Sequence, residues 1–231
     1  KEGLDDPRTV ASQLAWGLWF GLDTPYGSPT GGTVEGIATL DAAALRKSWD
    51  TRRTAGARFV VVGDVEADAL IETIDRHFSS WTGSADRPVA PAGAAIFQGH
   101  AGLYMVDQPG AAQTVLRVNL PGATVADPRR TAAGLGVFAL GGSFTSRMNR
   151  LLREEKGYTY GARAWQQSGP TYGLTAAGTN VFVDQTGPAL ADLMGLLKDA
   201  SAGIVDAELD KARSGTRTDA IETAASRSSL A

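Results

Sequence analysis

Apolar positions along the chain fall into blocks of helical spacing and into short alternating or unbroken runs, separated by stretches of glycine, proline and serine. "PRTVASQLAWGLWFG" (7–21) sets Val10, Leu14 and Leu18 at helical spacing, with proline in the first turn and glycine at the stop. "DTPYGSPTGGTVEGIATL" (23–40) is dense in turn residues and predicts a loop. "DAAALRKSWDTRR" (41–53) predicts a helix capped by Thr39 or Asp41. "ARFVVVGDV" (57–65) has a β-branched, apolar core closed by Gly63 and Asp64, which predicts a strand buried on both faces. Leu70, Ile71, Ile74 and Phe78 then repeat at helical spacing in "EADALIETIDRHFSSW" (66–81).

Past this point the pattern breaks at "TGSADRPVAPAGAA" (82–95), whose prolines and small residues predict a linker. Beyond it, "GLYMVDQ" (102–108) and "QTVLRVNLP" (113–121) predict strands. The second alternates Val115, Arg117 and Asn119 against Leu116, Val118 and Leu120, so one of its faces is expected to be wet. "DPRRTAAGLGVFALGG" (127–142) predicts a helix left through a glycine pair, and residues 143–157 predict another. A hairpin is expected over 158–179, turning at Ser168, Gly169 and Pro170, followed by helices over 187–203 and 205–229. The fold class is α+β, with strands and helices interleaved and hairpin-linked strands in the second unit. The expected division is 1–82, a linker over 83–95, and 96–231.

Composition narrows the function classes. A net charge of −3 and a pI near 5.4 give no long-range attraction to nucleic acid or anionic lipid, so no nucleic-acid partner is expected. The absence of cysteine excludes disulfides, thiolate metal sites and a cysteine nucleophile, and leaves the compartment open. No apolar run approaches the ~20 residues that span a bilayer, and "KEGLDDPRTV" lacks the apolar core of a signal peptide. Lys1 stands where methionine is expected, and "ETAASRSSLA" stops inside a helical pattern, so the chain reads as a fragment or processed product.

The chemistry-bearing stretch is "LGGSFTSRMNRLLREEKGYTYGA" (140–162). Ser143 or Thr145 can cap its helix, Met148, Leu151 and Leu152 form an apolar stripe, and Gly157 suits the left-handed position past the end. Arg147, Arg150 and Arg153 recur at every third position, with Glu154 in reach of Arg150; spacing alone favours a solvated charged face. Tyr158 and Tyr160, if on a strand, point to one face and Thr159 to the other; taken alone, they read as core aromatics.

In combination these residues resemble the second-domain signature of the insulinase/pitrilysin family of zinc peptidases, which includes the mitochondrial processing peptidase. "FVVVGDVEADALIETIDRHFSSW" is similar to the last strand and helix of that family's first domain, "DTPYGSPTGGTVEGI" to its His-Pro-Tyr-Gly loop, and "DAELDKARSG" to a late second-domain helix. Asp23 and Thr24 depart from the pattern where many relatives carry the loop histidine. The resemblance implies paired α+β domains, each a sheet layered with helices, closing around an unfolded peptide, with zinc held in the first domain on an H-x-x-E-H helix. The only histidines here, His77 and His100, form no such motif and read as a surface or packing residue and a loop residue. The expected position of the chain is therefore after the zinc site: 1–82 ends the catalytic-type domain and 96–231 is most of the non-zinc partner domain. No catalytic residue and no metal ligand is expected within it, zinc is implied for the intact parent, and the chain alone is expected to be inactive.

By the same resemblance Arg153 and Tyr160, seven positions apart, are the substrate-binding pair. The expected partners are a peptide substrate and the zinc-bearing segment or a homologous catalytic subunit. A homodimer by exchange of equivalent half-domains is a further outcome that truncation allows. Two alternatives stand beside this reading: a non-catalytic partner subunit of such a peptidase, and a structural or interaction module. A nucleotide site on "GLGVFALGG" (134–142) is disfavoured, because that stretch lacks the Gly-Lys-Ser/Thr ending of a phosphate loop and follows no convincing strand.

Overall fold

Asp6 starts the first helix: its carboxylate accepts hydrogen bonds from the backbone N–H groups of Arg8 and Thr9, which have no partner inside the helix. Helix α1 (Pro7–Phe20) ends at Gly21, whose φ of +86° a side chain would disfavour. The computed structural model describes residues 6–22, 24–53, 59–81 and 101–230. The expected linker over 83–95 and His100 lie outside them. The chain divides into two compact units, Lys1–Pro29 with Pro91–Arg217, and Thr30–Ala90 with Thr218–Ala231.

The larger unit is built on a three-stranded antiparallel sheet of β1 (Gln113–Pro121), β2 (Ala162–Ser168) and β3 (Gly173–Phe182), in the order β1-β3-β2. The hairpin joins Ser168 to Gly173 across the predicted turn. Between β1 and β2 run helix α5 (Arg130–Val137), a π-helical turn (Phe138–Gly142) and a second π-helical segment (Asn149–Glu155). A 3-10 turn (Val183–Gln185) leads from β3 into α6 (Thr186–Ala200), and α7 (Asp206–Ala225) follows. Helices with an antiparallel sheet make the class α+β, as the sequence predicts.

Each sheet face has its own cover, because alternate residues point to opposite sides. On one face Leu116, Ala162, Ala164, Ala177 and Val181 pack with Met148 and Leu152 of the π-helical region and with Ala189 and Leu193 of α6. On the other, Leu174 meets Trp19 and Phe20 of α1, with Trp16, Tyr26 and Tyr172 around them. Phe20 is fully buried and lies 5.1 Å from Tyr172, ring centroid to centroid, in an edge-on contact.

The polar side of β1 is therefore half-covered rather than open to water, contrary to expectation. Arg117 donates to the Ser12 hydroxyl at 3.3 Å and stacks 5.0 Å from the Trp165 ring centroid, while Asn119 donates to the Ala15 carbonyl at 3.4 Å. Helix α1 supplies the acceptors that water would otherwise supply. Burial lowers the pKa of the Arg117 guanidinium.

The smaller unit holds α2 (Val34–Ala38), α3 (Ala42–Arg53), α4 (Ala67–Phe78) and α8 (Arg227–Leu230). Helix α2 corrects the expectation of a loop over 23–40: the Thr33 hydroxyl accepts from the Gly36 N–H and nucleates one short helix. Of the two cap candidates for α3, Asp41 is the one the helix uses, accepting from the Ala44 N–H at 2.7 Å. The predicted strand over 57–65 is corrected as well. Residues 59–62 join no sheet among the described residues, and Phe59, Val60 and Val61 are exposed. A strand needs a hydrogen-bonding neighbour along at least one edge, and the described residues of this unit present none. Residues 102–108 in the larger unit join no ladder either.

Candidate functional site

Gly141 places the π-helical turn against β2. A Cβ there would lie 2.2 Å from the Ala164 backbone nitrogen and 2.8 Å from the Met148 sulfur, so only glycine lets the two segments approach this closely. Asn149 then locks the next segment to the strand. Its buried side chain donates to the Ser143 carbonyl at 3.0 Å and accepts from the Ala162 N–H at 2.8 Å. Between these contacts lies a hollow of about 330 Å³, lined by residues 141–144 and Asn149 on one side and by residues 160–163 on the other.

The three arginines expected to form one ridge go to three different places. In the π-helical segment the Lys156 N–H reaches the Leu151 carbonyl, five residues back, so positions three apart no longer stack. Arg147 is largely buried and pairs with Glu208 through two hydrogen bonds, one of 2.7 Å from Nε, and donates to the Gly203 carbonyl at 3.0 Å. The Arg147 hydrogen bonds hold the Glu208 carboxyl down at about 2. Arg150 pairs with Glu155, five residues on, at 3.8 Å and not with the expected Glu154. Arg153 lays its guanidinium 4.0 Å from the Phe144 ring centroid, and its Nη1 is buried without a hydrogen-bond partner.

Gly157 adopts φ +65°, the left-handed conformation expected of it. The tyrosine pair, however, does not share a strand face. The strand begins only at Ala162; Tyr158 packs against the core, Thr159 is buried and Tyr160 is 83% exposed. The Thr179 hydroxyl donates to the Thr159 hydroxyl at 2.9 Å, holding the turn inward at that residue and so directing Tyr160 outward. Tyr160 lines the hollow and meets Phe182 at 6.3 Å between ring centroids. Arg153 is not among the lining residues; it stands one residue behind them, stacked on Phe144.

Neither Asn149 nor Arg163 is singled out by the sequence, though both line the hollow. The signal for Asn149 is a polar residue beside the apolar stripe of Met148, Leu151 and Leu152. Arg163 carries none, since an arginine on a half-exposed strand is ordinary.

No group of three or more His, Asp or Glu side chains that could hold a metal ion occurs among the described residues, and His77 lies exposed on α4. The described donor set therefore does not fit a zinc site. Among the described residues, no helix is long and apolar enough to cross a membrane.

The family described as the Peptidase M16 inactive domain matches residues 44–216. The chain belongs to the M16 peptidase family. This M16 chain is 31% identical over 159 residues, 68% of its length, to an uncharacterized zinc protease of Mycobacterium tuberculosis, of which it covers 36%. To an uncharacterized zinc protease of Streptomyces coelicolor it is 25% identical over 219 residues, covering 46% of that protein. It thus spans about a third to a half of these relatives. The crystal structure of a peptidase M16 inactive domain from Pseudomonas fluorescens superposes with a TM-score of 0.71 at 22% identity, covering 94% of this chain and 52% of that one. A conserved protein from Enterococcus faecalis superposes with a TM-score of 0.74 at 16% identity, covering 99% and 53%. At these identities the two structures share the fold with this chain.

Proposed function

We propose that this M16 chain is the peptide-holding, non-zinc part of a zinc peptidase acting on unfolded peptides, and that Arg153 and Tyr160 contact the substrate. Residues 1–82 are then the end of the catalytic-type domain by chain order, and 96–231 most of the partner domain. Zinc belongs to the part of the relatives' length that this chain does not cover, on the same polypeptide or on a homologous subunit. The relatives' description as zinc proteases supports zinc for the longer protein.

One observation carries the reading. Tyr160 stands on the hollow with its phenol exposed, and Arg153 packs on Phe144 of the same hollow with an N–H group unsatisfied. A guanidinium presents fixed donors to a peptide carbonyl. A phenol can donate to the oxygen that gains charge when water attacks the scissile carbonyl. The Phe144 stack positions the first and the Thr159–Thr179 contact the second, so both are pre-organised by packed elements.

The test is the affinity of the chain for a fluorescent unfolded peptide. R153A and Y160A each weaken binding if the reading is right. Unchanged affinity in both variants contradicts it.

A further inference from the structure

We infer that Phe144 is a movable cover on Arg153: its ring lies over the guanidinium and gives way to a bound peptide, whose carbonyl takes the ring's place. This rests on the peptide-holding reading and adds control of access to one of its contacts.

Phe144 lines the hollow and Arg153 does not. The Arg153 guanidinium lies 4.0 Å from the Phe144 ring centroid, so the ring closes one of its faces to any acceptor. Its Nη1 is buried without a hydrogen-bond partner. A buried donor left unpaired on a charged group is costly, whereas a cation stacked on an exposed ring gains little. The cover is therefore held weakly. An acceptor that also brings contacts to the hollow displaces it.

The ring is free to move and its surroundings are not. Phe144 is 63% exposed and belongs to neither apolar cluster of the larger unit. The backbone on both sides of it is fixed: the Ser143 carbonyl accepts from the Ser146 N–H at 3.1 Å and from Asn149 at 3.0 Å, and the Thr145 carbonyl accepts from Lys211 at 3.3 Å. A rotation about the side-chain bonds suffices, as exposed side chains undergo readily, and no loop needs to rearrange. Arg153 keeps its place when the ring leaves, because its backbone belongs to the π-helical segment that Leu152, fully buried, ties to the core. The stack that positions the guanidinium thus also withholds it until a peptide arrives.

The experiment measures the affinity of the 231-residue chain for a fluorescent unfolded peptide in wild type, F144A, R153A and the double variant F144A/R153A. F144A is expected to bind about 3- to 10-fold tighter than wild type, because the fraction of molecules with Arg153 uncovered no longer limits binding. The gain is expected to vanish on the R153A background, where nothing is left to uncover. A second readout follows the Arg153 Nε–H signal by NMR: the ring shifts it in the free chain, and saturating peptide moves it toward its position in F144A. Circular dichroism checks that the variants stay folded. F144A that binds no tighter than wild type, a gain that survives in F144A/R153A, or an Arg153 signal that peptide leaves unmoved overturns the inference, while weaker binding by R153A keeps the peptide-holding reading in place. No binding by wild type overturns both.

Discussion

Arg147 and Glu208, 61 residues apart, form a two-point ion pair that fastens the start of the π-helical region to α7. Their side chains are only 15% and 23% exposed, and Glu208 also accepts the Val205 N–H at 3.1 Å. The pair therefore combines geometry and partial burial, unlike the exposed Arg76–Glu72 pair on α4. It supports the segment that carries Arg153.

Stability should accordingly depend on acid pH in a definite direction. The folded Glu208 carboxyl titrates at about 2, against 4.5 for the ordinary group. Its contribution is complete above about pH 5 and is lost as pH falls from 4.5 through 2. Allowing for water at the pair, the contribution is about 1–2 kcal/mol. Urea denaturation of wild type and E208Q at pH 7 and pH 3 checks this: the variant is less stable at pH 7, and the difference shrinks at pH 3.

Gly141 and Gly136 make a matched comparison. G141A forces a methyl group into the Ala164 backbone and should cost about 2–3 kcal/mol. Nothing lies within 4 Å of a Cβ at Gly136, inside α5, so G136A should be neutral or stabilise by up to about 1 kcal/mol. Urea midpoints of the two variants report the contrast.

Asn149 offers a third check. N149L keeps the volume but leaves the Ala162 N–H without its acceptor, at a cost of about 1–3 kcal/mol. Faster amide exchange at Ala162 and its neighbours, with the far end of the hairpin unchanged, locates the loss at the hollow.

Helix α1 should be released by truncating its anchor. Phe20 is fully buried against Leu174 and Tyr172, so F20A is expected to cost about 3–5 kcal/mol. Amide exchange across α1 should rise more than across β3.

Much of this was legible in the sequence, and the exceptions share physical causes. The alternation of 113–121, the hairpin turn, the left-handed Gly157 and the helical periods of α1, α4 and α6 each follow from local spacing, and they hold. Spacing failed where a neighbour decides the outcome. Whether Arg117 and Asn119 meet water depends on α1, about a hundred residues away in sequence. The run at 59–62 has strand composition, but a ladder requires a partner that composition does not supply. The arginine ridge assumed an α-helical turn, and the π-helical backbone sends Arg147, Arg150 and Arg153 apart. Asn149 escaped notice because its partners, Ser143 and Ala162, are themselves unremarkable in sequence.

Hydrolysis of an unfolded peptide, by the longer zinc protease proposed to contain this chain or by the chain combined with a proposed zinc-bearing subunit, probes the roles of Arg153 and Tyr160. Loss of the Tyr160 phenol in Y160F should lower kcat by about 10²-fold or more with KM little changed, as expected when a donor to the developing oxyanion is removed. R153A should lower kcat/KM as well. Wild-type kcat and kcat/KM in both variants would rule out a role for the pair in turnover.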